Sequence, residues 1–253
     1  MKTYLVVGGS KGNGREFIKQ LMKSDRNLIL LISRENIDLE FKNIIHFPTD
    51  LLDEKQLLST LKSIKEQYKL DSIAFFQKYR SSDGTEDNLR NNFKVTIEAT
   101  KLIIDATQDC FKKNGLRSIV LIGSIASKFV ALEQSADYHI VKSALVGLLN
   151  YYAVSLAHFG IRLNMVSPGS IIKDENKIFY KKNKDLTNLY KSVTPLHEIT
   201  TSSALFNLTY YLLSKKSKFI IGQDVWIESG SSLIWQEALA RQVANLDNLK
   251  ITR

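Results

Sequence analysis

The chain has 253 residues, 44% of them hydrophobic and 24% charged, an ordinary globular balance with enough length to bury one sizeable core. Its single cysteine, Cys110, excludes an internal disulfide and suits a reducing compartment. The formal net charge of +9 is dispersed, clustering only at Lys112–Lys113, Lys181–Lys184 and Lys215–Lys218. That is neither the stripe nor the module of a nucleic-acid binder, so solvated faces or attraction to an anionic substrate are expected instead.

The opening "MKTYLVVGGSKG" carries an apolar run too short for a secretory leader. No stretch approaches the roughly 20 apolar residues needed to cross a bilayer. A soluble cytoplasmic protein, without a membrane or nucleic-acid partner, is the expectation.

In chain order, short apolar runs predict strands at 3–7, 28–33, 44–47, 72–76, 118–122, 161–166 and 224–227. They are nearly continuous rather than alternating, as in strands covered on both faces. Between them lie amphipathic stretches: Phe17, Ile18, Leu21 and Met22 share one helical face, as do Val141, Leu145, Leu148, Tyr152 and Leu156. Strand–helix alternation over the whole length predicts one α/β domain, a doubly wound Rossmann-type parallel sheet of about seven strands with helices on both faces.

After the first strand comes Gly8-x3-Gly12-x-Gly14, a turn into a helix start. Glycines there let the backbone turn tightly and bring its N–H groups close to a pyrophosphate. The second strand ends in Ser33–Arg34, where a carboxylate would hold a ribose 2′-hydroxyl and a base would accommodate a 2′-phosphate. Arg34, with Lys11 in the glycine turn, favours NADP over NAD, and ordinary exposed bases are the alternative. Asp50, after the third strand, either faces an adenine or caps the helix beginning at Leu51–Asp53.

The fourth strand ends in "AFFQKYR" (74–80), an apolar run turning abruptly polar and basic. Phe75 and Phe76 read as core, and Gln77, Lys78, Tyr79 and Arg80 emerge at the edge where ligands bind. The fifth strand leads to Ser124. Beyond it, "SADYHIVK" sets Tyr138 and Lys142 four residues apart on one helix face. A tyrosine is a poor base at neutral pH, but a neighbouring ammonium stabilises its phenolate, so the pair can act as a general acid–base couple. Residues 170–200 interrupt the pattern with polar and basic residues, and a lid with one or two short helices is expected. A helix-like tail follows at about 233–253.

Taken together, "VGGSKGNG", "NNFKV", Ser124, Tyr138-x3-Lys142, "SPG" (167–169) and "IIGQDVWIESG" resemble the short-chain dehydrogenase/reductase family, in the single-domain form like 3-oxoacyl-acyl-carrier-protein reductases, from Met1 to about Ser232. The resemblance implies that Tyr138 exchanges a proton with the reacting oxygen. Lys142 binds the nicotinamide ribose and tunes Tyr138, Ser124 hydrogen-bonds the same oxygen, and Asn92 (with Asn91 as the register alternative) supports a proton relay. It implies cofactor contacts from Gly8, Ser10, Lys11, Gly12, Asn13 and Gly14, and from Ser33, Arg34, Asp50, Leu51 and Gln77. Tyr138, Lys142, Pro168, Gly169 and Ile171 complete them, around NADP(H) with NAD(H) as the alternative.

Three departures stand out: Val7 for a threonine, Lys173 for another, and "FFQKY" for Asn-Asn-Ala-Gly. Lys78, Tyr79 and Arg80, with Lys173, Lys177, Lys181, Lys182 and Lys184, suggest an anionic small molecule, such as a phosphate- or nucleotide-linked sugar or a carrier-linked acyl group. A homodimer or homotetramer is implied. No metal is expected. A homologue that has lost catalysis and serves as sensor or scaffold is the competing reading.

Overall fold

The computed structural model describes residues 1–35, 37, 42–79, 88–244 and 246. Seven parallel strands form one sheet in the order β3-β2-β1-β4-β5-β6-β9. They are β1 (Lys2–Val7), β2 (Asn27–Ser33), β3 (Ile44–Pro48), β4 (Ser72–Phe75), β5 (Ser118–Ile122), β6 (Arg162–Pro168) and β9 (Asp224–Ile227). A separate pair, β7 (Ile171–Ile172) and β8 (Thr200–Thr201), flanks the segment between them.

The strand runs are apolar throughout because both faces are covered. Leu5 and Val7 of β1 enter one core with Leu30 and Ile32, under α2 (Glu54–Gln67), α4 (Ala99–Thr107) and α5 (Ala136–Ser155). Tyr4 and Val6 point the other way, into a core with Phe17, Ile18 and Leu21 of α1 (Gly12–Leu21) and Leu205 and Leu212 of α8 (Ser202–Leu213). Period-two alternation therefore persists along β1, with apolar residues at both phases.

Local chemistry fixes where the helices begin. Asp53 caps α2, its Oδ1 accepting from Gln56 N–H at 3.0 Å. The helix thus starts at Glu54, later than Leu51–Asp53, and Asp50 is not its cap. Helix α3 (Leu89–Phe93) passes into α4 through a π-helical turn, Lys94–Glu98, which the sequence reading did not foresee. On α5, Leu149 is buried deeper than Leu148.

With its short 3-10 extension, α5 spans Ala136–Phe159 and is long and apolar enough to cross a membrane by length and composition alone. This corrects the expectation that no stretch qualifies. The apolarity has a packing cause, because Val141, Leu145, Leu149 and Tyr152 press onto the sheet.

Residues 170–200 hold two short helices, α6 (Lys177–Lys182) and α7 (Lys184–Ser192). Among the described residues of the tail, Gln236–Val243 forms helix α9, which packs on α7 of its own chain through Gln242 and the Ser192 carbonyl; 245 and 247–253 lie outside the described residues.

Candidate active site

The sheet order reverses between β1 and β4, and a cleft of about 520 Å³ opens at the C-terminal ends of these strands, where open α/β sheets bind ligands. Its floor is backbone. Gly8 sits at φ +75°, and a Cβ there would lie 2.4 Å from the Gln77 Cα. One on Gly14 would lie 2.5 Å from the Gly8 carbonyl oxygen. The glycines let the β1 turn, the first turn of α1 and the end of β4 come into contact, as a close-fitting phosphate cradle requires.

Ser10 and Lys11 form one lip of the cleft, Ser33 and Arg34 a second, Asp50 and Leu51 a third, and Gln77, Lys78 and Tyr79 the last. The Ser33 hydroxyl is committed to its own chain, donating to the Glu35 carbonyl at 2.7 Å beside His46. Lys11 pairs with Glu35 at 2.7 Å; both side chains are exposed, so the pair contributes little. Glu35, a carboxylate not foreseen from the sequence, thus offsets one of the two bases expected around this cleft. Asp50 faces the cleft, its Oδ1 accepting from Leu52 N–H at 3.0 Å.

Gln77 donates to the Thr100 hydroxyl at 2.7 Å, while its Oε1 is buried without a partner among the described residues. A buried orphan acceptor on the wall of a cleft is what a ligand hydroxyl or amine would satisfy. Backbone cradle, basic lip and orphan acceptor together fit a dinucleotide.

The residues expected to be catalytic gather beyond Lys78, outside the lining of this cleft. Ser135 caps α5 by accepting from Tyr138 N–H at 3.3 Å. The cap fixes the register that puts Tyr138 in the first turn and Lys142 one turn later. Lys142 is buried, its Nζ donating to the Ile122 carbonyl at 2.8 Å and lying 5.7 Å from the Tyr138 ring centroid. Ser124, two residues beyond the end of β5, accepts from Ala126 N–H, and its hydroxyl lies near enough to the Tyr138 phenol to lower the phenol's pKa. One strand end therefore positions both partners of the tyrosine.

Burial pushes the Tyr138 phenol above its ordinary value, and the Ser124 hydroxyl partly offsets this. Burial, and then the Lys78 ammonium, pull Lys142 down to about 8. Lys78 itself is exposed, with its Nζ 5.0 Å from the Tyr138 ring centroid, inside the range of a cation–π contact.

Asn92 is buried on α3, immediately before the π-helical turn, and donates to the Asn88 carbonyl at 3.3 Å. Asn91 instead reaches the Tyr79 hydroxyl at 3.2 Å. Arg80 lies outside the described residues.

Pro168 ends β6, and Gly169 donates to the Ile227 carbonyl at 3.2 Å. A Cβ on Gly169 would sit 3.7 Å from Ile125, so this end abuts the Ser124 loop. Ile171 is buried in β7. Gly12 and Asn13 follow Lys11 at the border between the 520 Å³ cleft and the segment after β7, where the Ser202 hydroxyl donates to Asn13 Oδ1 at 2.8 Å. Lys173 is half-buried there, while Lys177, Lys181, Lys182 and Lys184 are exposed.

The profile of the family described as "Enoyl-(Acyl carrier protein) reductase" matches residues 28–232. The 3-oxoacyl-[acyl-carrier-protein] reductase FabG of Buchnera aphidicola subsp. Schizaphis graminum is 26% identical over 90% of this chain and 96% of its own length. Oxidoreductase UcpA of Escherichia coli K12 is 25% identical over 92% and 95%. Among solved structures, a short chain dehydrogenase family protein from Francisella tularensis superposes with a TM-score of 0.78 at 24% identity, over 92% of this chain and all of its own. ElxO, solved with NADP bound, gives 0.77 at 24% identity over 92% and 99%. With this fold, the cradle at the switch point and the Tyr138–Lys142 helix, the chain belongs to the short-chain dehydrogenase/reductase family of oxidoreductases.

Proposed function

We propose that the protein is an NADP(H)-dependent oxidoreductase that interconverts a carbonyl and a secondary alcohol on a small anionic substrate. The observation that carries this reading is half-buried Tyr138 clustered with buried Ser124 and Lys142 beside a dinucleotide-sized cleft.

The amides of the Gly8–Gly14 turn would hold the pyrophosphate, Arg34 a 2′-phosphate and Asp50–Leu51 the adenine. Lys142 would take the nicotinamide ribose hydroxyls, and Pro168, Gly169 and Ile171 would line the nicotinamide. When bound, the nicotinamide supplies or accepts the hydride. In the reducing direction the Tyr138 O–H gives its proton to the carbonyl oxygen, which Ser124 holds. The ammonium of Lys142 stabilises the phenolate left behind, and Asn92 supports its reprotonation from solvent. The complete cluster favours turnover over a scaffold role. Arg34 on the cleft lip supports NADP(H) over NAD(H), as does the NADP bound in ElxO.

Lys78 beside Tyr138, and the exposed lysines of α6 and α7, favour a substrate carrying negative charge. The Buchnera relative is named a reductase of a 3-oxoacyl-[acyl-carrier-protein], which puts carrier-linked acyl groups among the compounds to try. Exposed Ile140, Tyr151 and Val154 on α5 favour a homodimer or homotetramer.

The test is oxidation of NADPH and of NADH against carbonyl compounds sorted by charge, at low and high salt. Preference for NADPH, and for anionic carbonyls whose kcat/KM falls with salt, is expected. Turnover of neutral ketones that is indifferent to salt would remove the anionic substrate.

A further inference from the structure

The first turn of α1 is already occupied by a carboxylate of the same chain. Gly12 N–H donates to Glu175 Oε1 at 2.6 Å, across 163 residues of sequence. Helix α1 is ten residues long, with no side-chain hydrogen bond at its cap, Lys11, and no acidic residue in its first turn. Its leading amides thus lack a local acceptor, and the N-terminal end of a helix favours an anion. Gly12 has no side chain to stand between amide and carboxylate, and its φ of +60° suits glycine.

Glu175 is held in place from both sides. Asn176 accepts from Lys173 N–H at 2.6 Å and donates to the Ile171 carbonyl at 2.9 Å, closing the turn that carries Glu175. Asp174 approaches Lys19 of α1 at 3.7 Å. Ser202, at the start of α8, donates to Asn13. The strap from Lys173 to Asn176 therefore lies along α1 and runs directly into α6.

We propose that Glu175 is a latch that occupies the dinucleotide's pyrophosphate position at Gly12 until the cofactor enters, so that cofactor binding frees the strap and the α6–α7 segment behind it. This rests on the cofactor reading above. Two anions cannot share one amide at hydrogen-bond distance, because their repulsion adds to the loss of the only donor. A pyrophosphate, with more charge and more acceptor oxygens than one carboxylate, displaces Glu175, and the displaced strap carries α6 with it. Affinity for the cofactor is then the intrinsic affinity reduced by the fraction of molecules that are latched.

The test measures NADPH affinity by titration calorimetry, and hydrogen exchange over 173–192, for the wild type, Glu175→Gln, Glu175→Ala and Asp174→Asn. Asp174 carries the same charge one residue away but does not touch Gly12, so Asp174→Asn isolates long-range electrostatics. The latch requires NADPH to bind about five- to tenfold more tightly to both Glu175 variants, the size of one ordinary hydrogen bond, as suits an exposed one, and less than about twofold more tightly to Asp174→Asn. Exchange over 173–192 should rise on adding NADPH to the wild type and already be raised in Glu175→Ala without it. Equal affinity in the wild type and the Glu175 variants overturns the latch and leaves the cofactor reading standing. So does weaker binding by the variants, which would make Glu175 a cofactor ligand. Failure of all four proteins to bind NADPH removes the cofactor reading and the latch together.

Discussion

The cleft and the side-chain cluster beside it, the two ends of the candidate site, are built from different materials. At the dinucleotide end the floor is backbone, and the charged groups, Lys11 with Glu35 and Arg34, stand in solvent. At the end expected to be catalytic the groups are side chains drawn out of water: Lys142 is 6% exposed and Ser124 7%, with Tyr138 half-buried. The first end recognises its ligand through chain geometry, at little electrostatic cost to folding. The second carries a desolvated cation and a half-buried phenol, at a cost to stability. Charge changes at the first end should alter affinity, and changes at the second should alter rate, pH dependence and stability together.

The sharpest division between the ends comes from Tyr138→Phe. Losing one hydroxyl removes the proton donor and leaves the ring against its neighbours, so turnover should fall by about 10²- to 10⁴-fold while NADPH binding is kept. A variant retaining a tenth of wild-type turnover would break the assignment and favour the scaffold reading. Next in size is Gly8→Ala at the other end. Its Cβ would meet the Gln77 backbone at 2.4 Å, at a φ that L-residues rarely adopt. A loss of about 1–3 kcal/mol of stability and weakened NADPH binding are expected, read by thermal melting and titration. An unchanged melting temperature would mean that the two turns separate freely.

How much of this the sequence could disclose depends on the range of the interaction. The seven sheet strands were legible because each is a short apolar run, and β1 shows why both phases of it had to be apolar. Tyr138 and Lys142 were legible because four residues on one helix is a local relation. Asn92 could be preferred over Asn91 only through the family pattern; the structure buries Asn92 and turns Asn91 to the Tyr79 hydroxyl. The Glu175–Gly12 bond, the Lys11–Glu35 pair and the reach of Lys78 to Tyr138 were not legible. Each joins groups that meet only after the sheet has assembled, and a lysine or glutamate in a polar stretch carries no mark of its partner. Asp53 could have been found, since an aspartate three residues before Gln56 is a capping pattern.

Lys142→Met separates function from stability at the buried end. The folded-state pKa of Lys142, about 8, lies below its ordinary 10.5. The unfolded chain therefore holds more protons than the folded one between these values, and stability rises as pH climbs through that window. Below pH 8 the full cost of burying the ammonium applies, on the order of 3 kcal/mol. Methionine removes that cost but leaves the Ile122 carbonyl without its donor. A net gain of about 1–2 kcal/mol at neutral pH is expected, worth a few degrees in melting temperature, with turnover lost and the rise in stability between pH 8 and 10.5 abolished. A lower melting temperature at pH 7 would show that the hydrogen bond outweighs the desolvation.

Lys78→Met is the smallest change and the one that links the two ends. Among the described residues, three groups bear on the Lys142 ammonium: the Ile122 carbonyl that accepts from it, the Tyr138 ring beside it, and the Lys78 charge. Only the last is a like charge, and it depresses the Lys142 pKa. Removing it raises that pKa, so the alkaline limb of the kcat/KM profile, where Lys142 loses its proton, should move to higher pH. The shift should be a fraction of a unit, since burial is the larger cause. If Lys78 also anchors the substrate, KM for an anionic carbonyl should rise several-fold while a neutral one is unaffected. The two effects are separable, because a shifted limb with unchanged KM would leave Lys78 tuning Lys142 without touching substrate. A raised KM with an unmoved limb would leave it an anchor alone.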